Sequence, residues 1–104
     1  MNIELDNLDP VTAAELLYNE SVLFASLVSK LADAEIKFKQ ELYAFMKENP
    51  EMPANKVKIR AESGELYAIM RRLDAEVKGK IEIIRSLKKF VRVKTEEWET
   101  SKNI

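Results

Sequence analysis

Apolar residues recur at every seventh position in two long stretches of this chain, which are separated by a short segment containing two prolines. Seven residues are close to two turns of an α-helix, so each series forms a seam along one helix face. The pattern predicts two long helices that fold back on each other and pack through these side chains, aromatic residues included. The first series is Leu17, Phe24, Leu31, Phe38 and Phe45, and the second is Met70, Val77, Ile84, Val91 and Trp98.

The ends of both helices are marked by residues with known positional preferences. Asp9 is suited to cap a helix N-terminus and Pro10 to occupy the first helical position, so we expect an N-terminal arm over 1–9 and a first helix over 10–48. Pro50 and Pro53 disfavour helix, which predicts a turn over 49–54 and a second helix over 55–101. A break in the first helix, near 19–21 or at Ser26 and Ser29, is an alternative.

The second predicted helix contains three irregular positions. Gly64 and Gly79 each weaken a helix by about 1 kcal/mol relative to alanine. Gly64, beside Ser63, marks a narrow place where another backbone could approach. Lys80 interrupts the apolar register next to Gly79, so we expect an irregularity in the seam at this point.

Both helices carry more apolar residues than one seam can cover, which predicts self-association. The expected fold is all-α: a long, antiparallel, coiled-coil-like helical hairpin that forms one domain and self-associates, with a dimer and its four-helix core favoured. The residues expected at the interface between copies are Leu23, Ile36, Ile69, Ile81, Ile83 and Phe90.

The composition argues against an enzyme. The chain has no Cys and no His, which removes disulfides, thiolate metal sites and the side chains best suited to nucleophilic and acid–base catalysis at neutral pH. A carboxylate site built from Glu35, Glu41, Glu62 and Glu65 lacks the Glu-x-x-His pairs of helical di-metal proteins. We therefore expect no catalytic residues, no metal and no cofactor.

Charge is distributed unevenly along the chain. Residues 1–50 carry four Lys against nine Asp and Glu, whereas residues 51–104 carry thirteen Lys and Arg against nine acidic residues. The asymmetry favours attraction between the two helices. Basic residues also repeat on one face of the second helix. This face is either a solvated surface or a surface that binds nucleic acid or another polyanion. These residues are Arg71, Lys78, Arg85, Lys88, Lys89 and Arg92.

Localisation follows from hydropathy and from the N-terminal residues. No apolar run approaches the roughly 20 residues that cross a bilayer, and residues 1–9 are acidic, unlike a signal peptide. We expect a cytoplasmic protein that has no membrane partner.

A further hypothesis concerns the turn between the two predicted helices. A small anion could bind a surface there that is formed by Tyr43, Tyr67, Arg60 and Lys56.

Three segments carry a resemblance to a known group of proteins. They are LADAEIKFK at 31–39, KIRAES at 58–63 and IRSLK at 84–88. In these segments the chain resembles small helical proteins encoded by bacteriophages and prophages. The resemblance implies action in the host-cell cytoplasm, near replication or recombination genes or among accessory proteins that counter host defence.

The expected function is that of a non-enzymatic helical interaction or adaptor protein that works through oligomerisation and surface contacts with a protein partner of unknown identity. One alternative is an accessory protein of replication or recombination that binds nucleic acid through the basic face. A further alternative is a phage protein that counters host defence by binding a protein or a small anionic ligand.

Overall fold

Three α-helices account for almost all of the chain that the structure describes. The structure is a computed structural model that describes residues 9–102, with side chains described for 9–100. The helices are α1 (Pro10–Glu48), α2 (Ala54–Glu62) and α3 (Glu65–Lys102). The all-α helical hairpin predicted from the sequence is confirmed. Residues 1–8 of the predicted N-terminal arm lie outside the described residues.

Helix α1 begins where the sequence predicts, because Asp9 caps its first turn. The backbone N–H of Thr12 donates to Oδ1 of Asp9 at 2.7 Å, and the Thr12 hydroxyl donates to Oδ2 at 3.0 Å. These bonds, the backbone bond foremost, hold the pKa of Asp9 below its ordinary value of 3.8. The capping carboxylate also lies at the positive end of the helix dipole.

Helix α1 is continuous from Pro10 to Glu48, so the alternative of a broken first helix is wrong. The polar residues that suggested a break are accommodated within the helix. The Ser21 hydroxyl, for example, donates to the backbone carbonyl of Leu17 at 2.8 Å, an arrangement that serine often adopts inside helices.

The proline segment ends α1 and starts α2. The side-chain amide of Asn49 donates to the backbone carbonyl of Phe45 at 3.0 Å, and the N–H of Met52 then donates to the carbonyl of Asn49 at 3.1 Å. Pro53 occupies the position before α2 with an extended backbone, at φ −59° and ψ 145°. Its carbonyl accepts the first hydrogen bonds of the new helix.

The second predicted helix is not continuous, which corrects the prediction of one helix over 55–101. It is divided at Ser63 and Gly64 into α2 and α3. The Ser63 hydroxyl donates to the carbonyl of Arg60 at 2.8 Å, competing with the helical ladder, and glycine is a weak helix former. Glu65 then restarts the helix with a carboxylate in its first turn.

Gly64 does not mark a close approach of another backbone, contrary to the sequence-based expectation. A Cβ added at Gly64 would meet the Ala61 carbonyl oxygen at 3.5 Å, which is an ordinary contact. The division at this position therefore reflects the low helix propensity of Ser-Gly and not a steric requirement for glycine.

The chain divides into two compact units, each built from antiparallel helix segments. Unit 1 comprises residues 1–25 and 78–104, of which the structure describes 9–25 and 78–102. Within it, residues 9–12 at the start of α1 lie beside Trp98 of α3, whereas Glu20 contacts Lys80, so the two segments run in opposite directions.

The interior of unit 1 is formed by a heptad row next to the predicted one. Ala13 and Leu87 are fully buried, and Glu20, seven residues after Ala13, is 3% exposed. Leu17 of the predicted series is only half-buried. Trp98, expected in the core, is 60% exposed, so that expectation is wrong. The small Ala13 lets the helices approach closely, so the row that contains it is the better covered one.

Unit 2 comprises residues 26–77 and therefore contains the rest of α1, all of α2 and the start of α3. Its buried apolar residues are Ala34, Val57 and Val77. Around them, the rings of Phe38 and Tyr67 lie 5.6 Å apart in a tilted arrangement that is favourable for aromatic pairs.

Candidate interaction surfaces

A buried ion pair lies in the interior of unit 1. The Nζ atom of Lys80 donates to Oε2 of Glu20 at 2.5 Å, and the exposed fractions of the two side chains are 23% and 4%. Removing a charge from water is costly, so the Glu20 carboxylate, the more buried of the two groups, requires the Lys80 ammonium as its partner. The sequence located the irregularity at Lys80 correctly, but it did not identify Glu20 as the partner. The seven-residue spacing between the apolar Ala13 and Glu20 was the signal that could have placed Glu20 in the interior.

The outer face of α1 in unit 1 is apolar and exposed. Val11, Tyr18 and Val22 are 69%, 70% and 53% exposed, although valine is a residue type that favours burial. An open groove of about 690 Å³ beside α1 is lined by Val11, Ala14, Tyr18 and, from α3, Val91 and Thr95. Apolar and aromatic side chains of this kind are typical of protein interfaces.

Unit 2 also exposes large apolar residues, most of them on α1. Ile36, Tyr43 and Met46 are 55%, 63% and 49% exposed, and Ile59 of α2 is 67% exposed. The Lys47 ammonium lies 4.9 Å from the centre of the Tyr43 ring, a cation–π contact that leaves most of the ring accessible.

The six residues predicted at an interface between copies fall into two groups. Leu23, Ile36 and Ile69 are exposed, at 50%, 55% and 38%. Ile81, Ile83 and Phe90 are half-buried on the part of α3 in unit 1. The exposed residues that the sequence argument did not select include Val11 and Tyr18, and their seven-residue spacing was the signal that could have identified them.

The basic residues predicted to bind nucleic acid are all exposed. In unit 1, Arg85 forms an ion pair with Glu82 at 3.0 Å, and both side chains are more than 70% exposed. Arg71 belongs to unit 2, where its guanidinium carbon lies 6.0 Å from the centre of the Tyr67 ring. The members of this set that lie on the surface of unit 1 are Lys78, Arg85, Lys88, Lys89 and Arg92.

The hypothetical anion surface near the turn does not converge on one point. Tyr43 contacts Lys47, Tyr67 packs on Phe38, and the Arg60 guanidinium carbon lies 5.4 Å from the centre of the Phe45 ring. Arg60 also borders an open cavity of about 520 Å³ in unit 2, whose walls are mainly apolar side chains of α1 and α3. No buried side-chain nitrogen or oxygen in the described part of the chain lacks a hydrogen-bond partner, so no such group is aimed into this cavity.

Helix α1 has the length and composition of a possible membrane span. An 18-residue stretch within it reaches a mean hydropathy of 1.2, and 11% of that stretch is buried. The sequence-based prediction that no apolar run approaches the length of a membrane span is therefore wrong. A core helix of a soluble protein and an N-terminal signal sequence also satisfy this criterion, so length and composition alone do not assign α1 to a membrane.

Across residues 9–102, no group of three or more Asp and Glu side chains is placed to hold a metal ion. The carboxylates considered above, Glu35, Glu41, Glu62 and Glu65, do not form such a group. The surfaces that the structure presents are an exposed apolar face on α1 and an exposed basic face on α3.

Comparison with known proteins gives no family assignment. No protein-family model matches the chain, and no curated protein and no solved structure matches it either. The exposed surfaces of the chain are therefore what indicates its function.

Proposed function

We propose that this chain is a non-enzymatic helical interaction protein that acts through self-association and through contacts made by its surface. The observation that supports the proposal is the imbalance between its interior and its surface. Twelve large apolar side chains are exposed in the described part of the chain, whereas only five apolar residues are buried, and two of those are alanines. Association covers such surface and supplies the apolar burial that the separate chain lacks.

The mass of the protein in solution tests this proposal. Light scattering coupled to size-exclusion chromatography at micromolar concentrations should give a mass above the 12.0 kDa of one chain. A mass of 12.0 kDa that does not change as the concentration rises a hundredfold would overturn self-association.

The place of action is part of the same proposal. Action in the cytoplasm of a bacterial host follows from the resemblance to phage and prophage proteins at 31–39, 58–63 and 84–88. Fractionation of cells that express the tagged protein tests this, because recovery in the membrane fraction after a salt wash contradicts it.

A second candidate function, binding to nucleic acid, is favoured by one observation. Lys78, Arg85, Lys88, Lys89 and Arg92 are all exposed on α3 in unit 1, where they can reach phosphates. Counterion release from nucleic acid would make the affinity fall steeply with salt.

Fluorescence anisotropy with labelled duplex DNA or RNA tests this second function. Binding at low salt should weaken about tenfold or more in the double variant Arg85→Glu and Arg92→Glu. The matched control reverses the same number of charges on α1 with Lys30→Glu and Lys47→Glu, and it should bind more tightly than the α3 variant. No binding at low salt, or equal losses in the two double variants, would refute a role for this face.

A further inference from the structure

The exposed side of α1 carries a second heptad seam, which in unit 1 borders the groove that Val11 and Tyr18 share with Val91 and Thr95 of α3. In unit 1 its members are Val11, Tyr18, Val22 and Ala25, and in unit 2 they are Ser29, Ala32, Ile36 and Tyr43. All eight are exposed. The steps between neighbours are three, four or seven residues, which is the rhythm of a face that packs against another helix. Because all eight belong to one continuous helix, their register follows from helix geometry alone.

We propose that the occupant of this outer seam is α1 of a second copy of the chain, running antiparallel about a two-fold axis level with residue 27. This inference rests on the proposed function, self-association, and specifies the surface and the register that perform it. A two-fold interface has to be complementary to itself, so each residue must face a suitable partner from the same stretch.

The centre of the seam meets this requirement through small residues. In the antiparallel register, Ala25 faces Ser29 of the second copy, and Val22 faces Ala32 of the second copy. Small side chains at the centre let two helix backbones approach closely, so the neighbouring layers can interdigitate.

The ends of the seam are filled by larger residues. Tyr18 faces Ile36 of the second copy, and Val11 faces Tyr43 of the second copy. These four side chains are between 55% and 70% exposed in the single chain, so the dimer covers apolar surface that water otherwise contacts. The tyrosine hydroxyls can remain at the edge of the interface in contact with water.

Charge complementarity selects the antiparallel orientation. Glu15 and Lys39 occupy the remaining heptad positions of the seam, both are exposed, and in the described part of the chain neither belongs to an ion pair. In the antiparallel register, Glu15 faces Lys39 of the second copy at both ends of the interface. A parallel pairing in register would instead place Glu15 against Glu15 and Lys39 against Lys39, which is unfavourable.

The charges of α1 favour a helix over a lipid surface as the partner of the outer seam. A helix that lies on a membrane surface carries Lys and Arg along the flanks of its apolar face. Residues 10–29 of α1 contain no Lys or Arg, and their charged residues are Glu15 and the buried Glu20.

Charge reversal tests the register. Glu15→Lys places two Lys–Lys contacts in the dimer and should raise its dissociation constant at least tenfold, as should Lys39→Glu. The double variant Glu15→Lys and Lys39→Glu restores opposite charges and should dimerise as the original protein does. Sedimentation equilibrium measures all four proteins, and circular dichroism confirms that each is helical.

Disulfide trapping tests the orientation, because the chain has no cysteine of its own. An Ala25→Cys protein mixed with a Ser29→Cys protein should oxidise mainly to the mixed dimer. Rapid formation of the Ala25→Cys homodimer would show a parallel pairing or an antiparallel pairing centred on residue 25, and either result would overturn the proposal.

The outcomes separate this inference from the proposed function. If a dimer forms and neither charge reversal changes its dissociation constant, the α1 seam is overturned but self-association is not. A monomer overturns both. A monomer that sediments with vesicles of phosphatidylcholine and phosphatidylglycerol assigns the outer face of α1 to a membrane instead.

Discussion

The buried pair of Glu20 and Lys80 allows a sharp test of how unit 1 is held together. Lys80→Met keeps the length of the side chain but removes its charge, which leaves the carboxylate of Glu20 without its partner. Glu20→Leu removes the carboxylate and leaves the ammonium of Lys80. The two single variants therefore break the same ion pair from opposite sides.

The difference in exposure predicts that the two variants lose unequal amounts of stability. The Glu20 side chain is 4% exposed and cannot reach water, so Lys80→Met should lower the free energy of unfolding by about 3 kcal/mol, the range found for broken buried pairs. The Lys80 side chain is 23% exposed, so its ammonium can extend to the surface, and Glu20→Leu should cost only about 1 kcal/mol. With both changes together, the apolar pair should be within about 1 kcal/mol of the original protein or more stable.

Urea unfolding followed by circular dichroism measures these differences. At one fixed protein concentration, because association would shift the midpoint, Lys80→Met should lower the midpoint by about 2 M. Lys94→Met is the matched control on the same helix. Lys94 pairs with Glu97 at 3.3 Å on the surface, so this change should cost less than about 0.5 kcal/mol. Equal losses for Lys80→Met and Glu20→Leu, or a Lys80→Met loss no larger than that of the control, would refute the reasoning.

Three further predictions concern single positions. Gly79 lies inside α3 with no atom within 4 Å of an added Cβ, so Gly79→Ala should raise the free energy of unfolding by about 1 kcal/mol; a lower urea midpoint would contradict this. The pKa of Asp9 is lowered by its bonds from Thr12, so its contribution to stability is present above pH 3.8 and is lost as the pH falls through the lowered value. Asp9→Asn keeps a capping side chain that does not titrate. In thermal unfolding, the difference in midpoint temperature between the two proteins should change below pH 3.8. A difference in midpoint that stays constant from pH 7 to pH 2 speaks against the cap. Trp98, the only tryptophan and 60% exposed, should emit at long wavelength and be readily quenched by acrylamide, whereas a blue-shifted, protected emission would place it in a core.

Local sequence signals predicted the bounds of α1 well. The Asp9-Pro10 start and the proline segment after Glu48 act through backbone geometry and hydrogen bonds within a few residues, so they need no tertiary information. The Ser63–Gly64 division was underestimated for a related reason. The pattern of apolar residues continues across it and predicts one helix, but the weak helix propensity of the two residues prevails.

The candidate surfaces were only partly predictable. The sequence indicated surplus apolar residues and a basic face, and the exposed fractions of Leu23, Ile36 and Arg85 agree with surface positions. It did not indicate that Val11 and Tyr18 are among the most exposed apolar residues. Exposure depends on which side of a helix the partner helix covers, and the periodicity of α1 supports a seam on either side.

The amino-acid sequence by itself determined the all-helical fold and the bounds of α1, because seven-residue periodicity, capping residues and prolines act over one or two turns. Tertiary structure decided which of two adjacent heptad rows is the more deeply buried. The series beginning at Leu17 has the larger residues and is half-buried against α3, yet the deepest burial in α1 falls on Ala13, Glu20 and Ala34 of the adjacent row. A small side chain allows close approach, and Lys80 supplies the charge that makes burial of Glu20 tolerable. Both reasons depend on residues sixty or more positions away, which no local pattern can reveal.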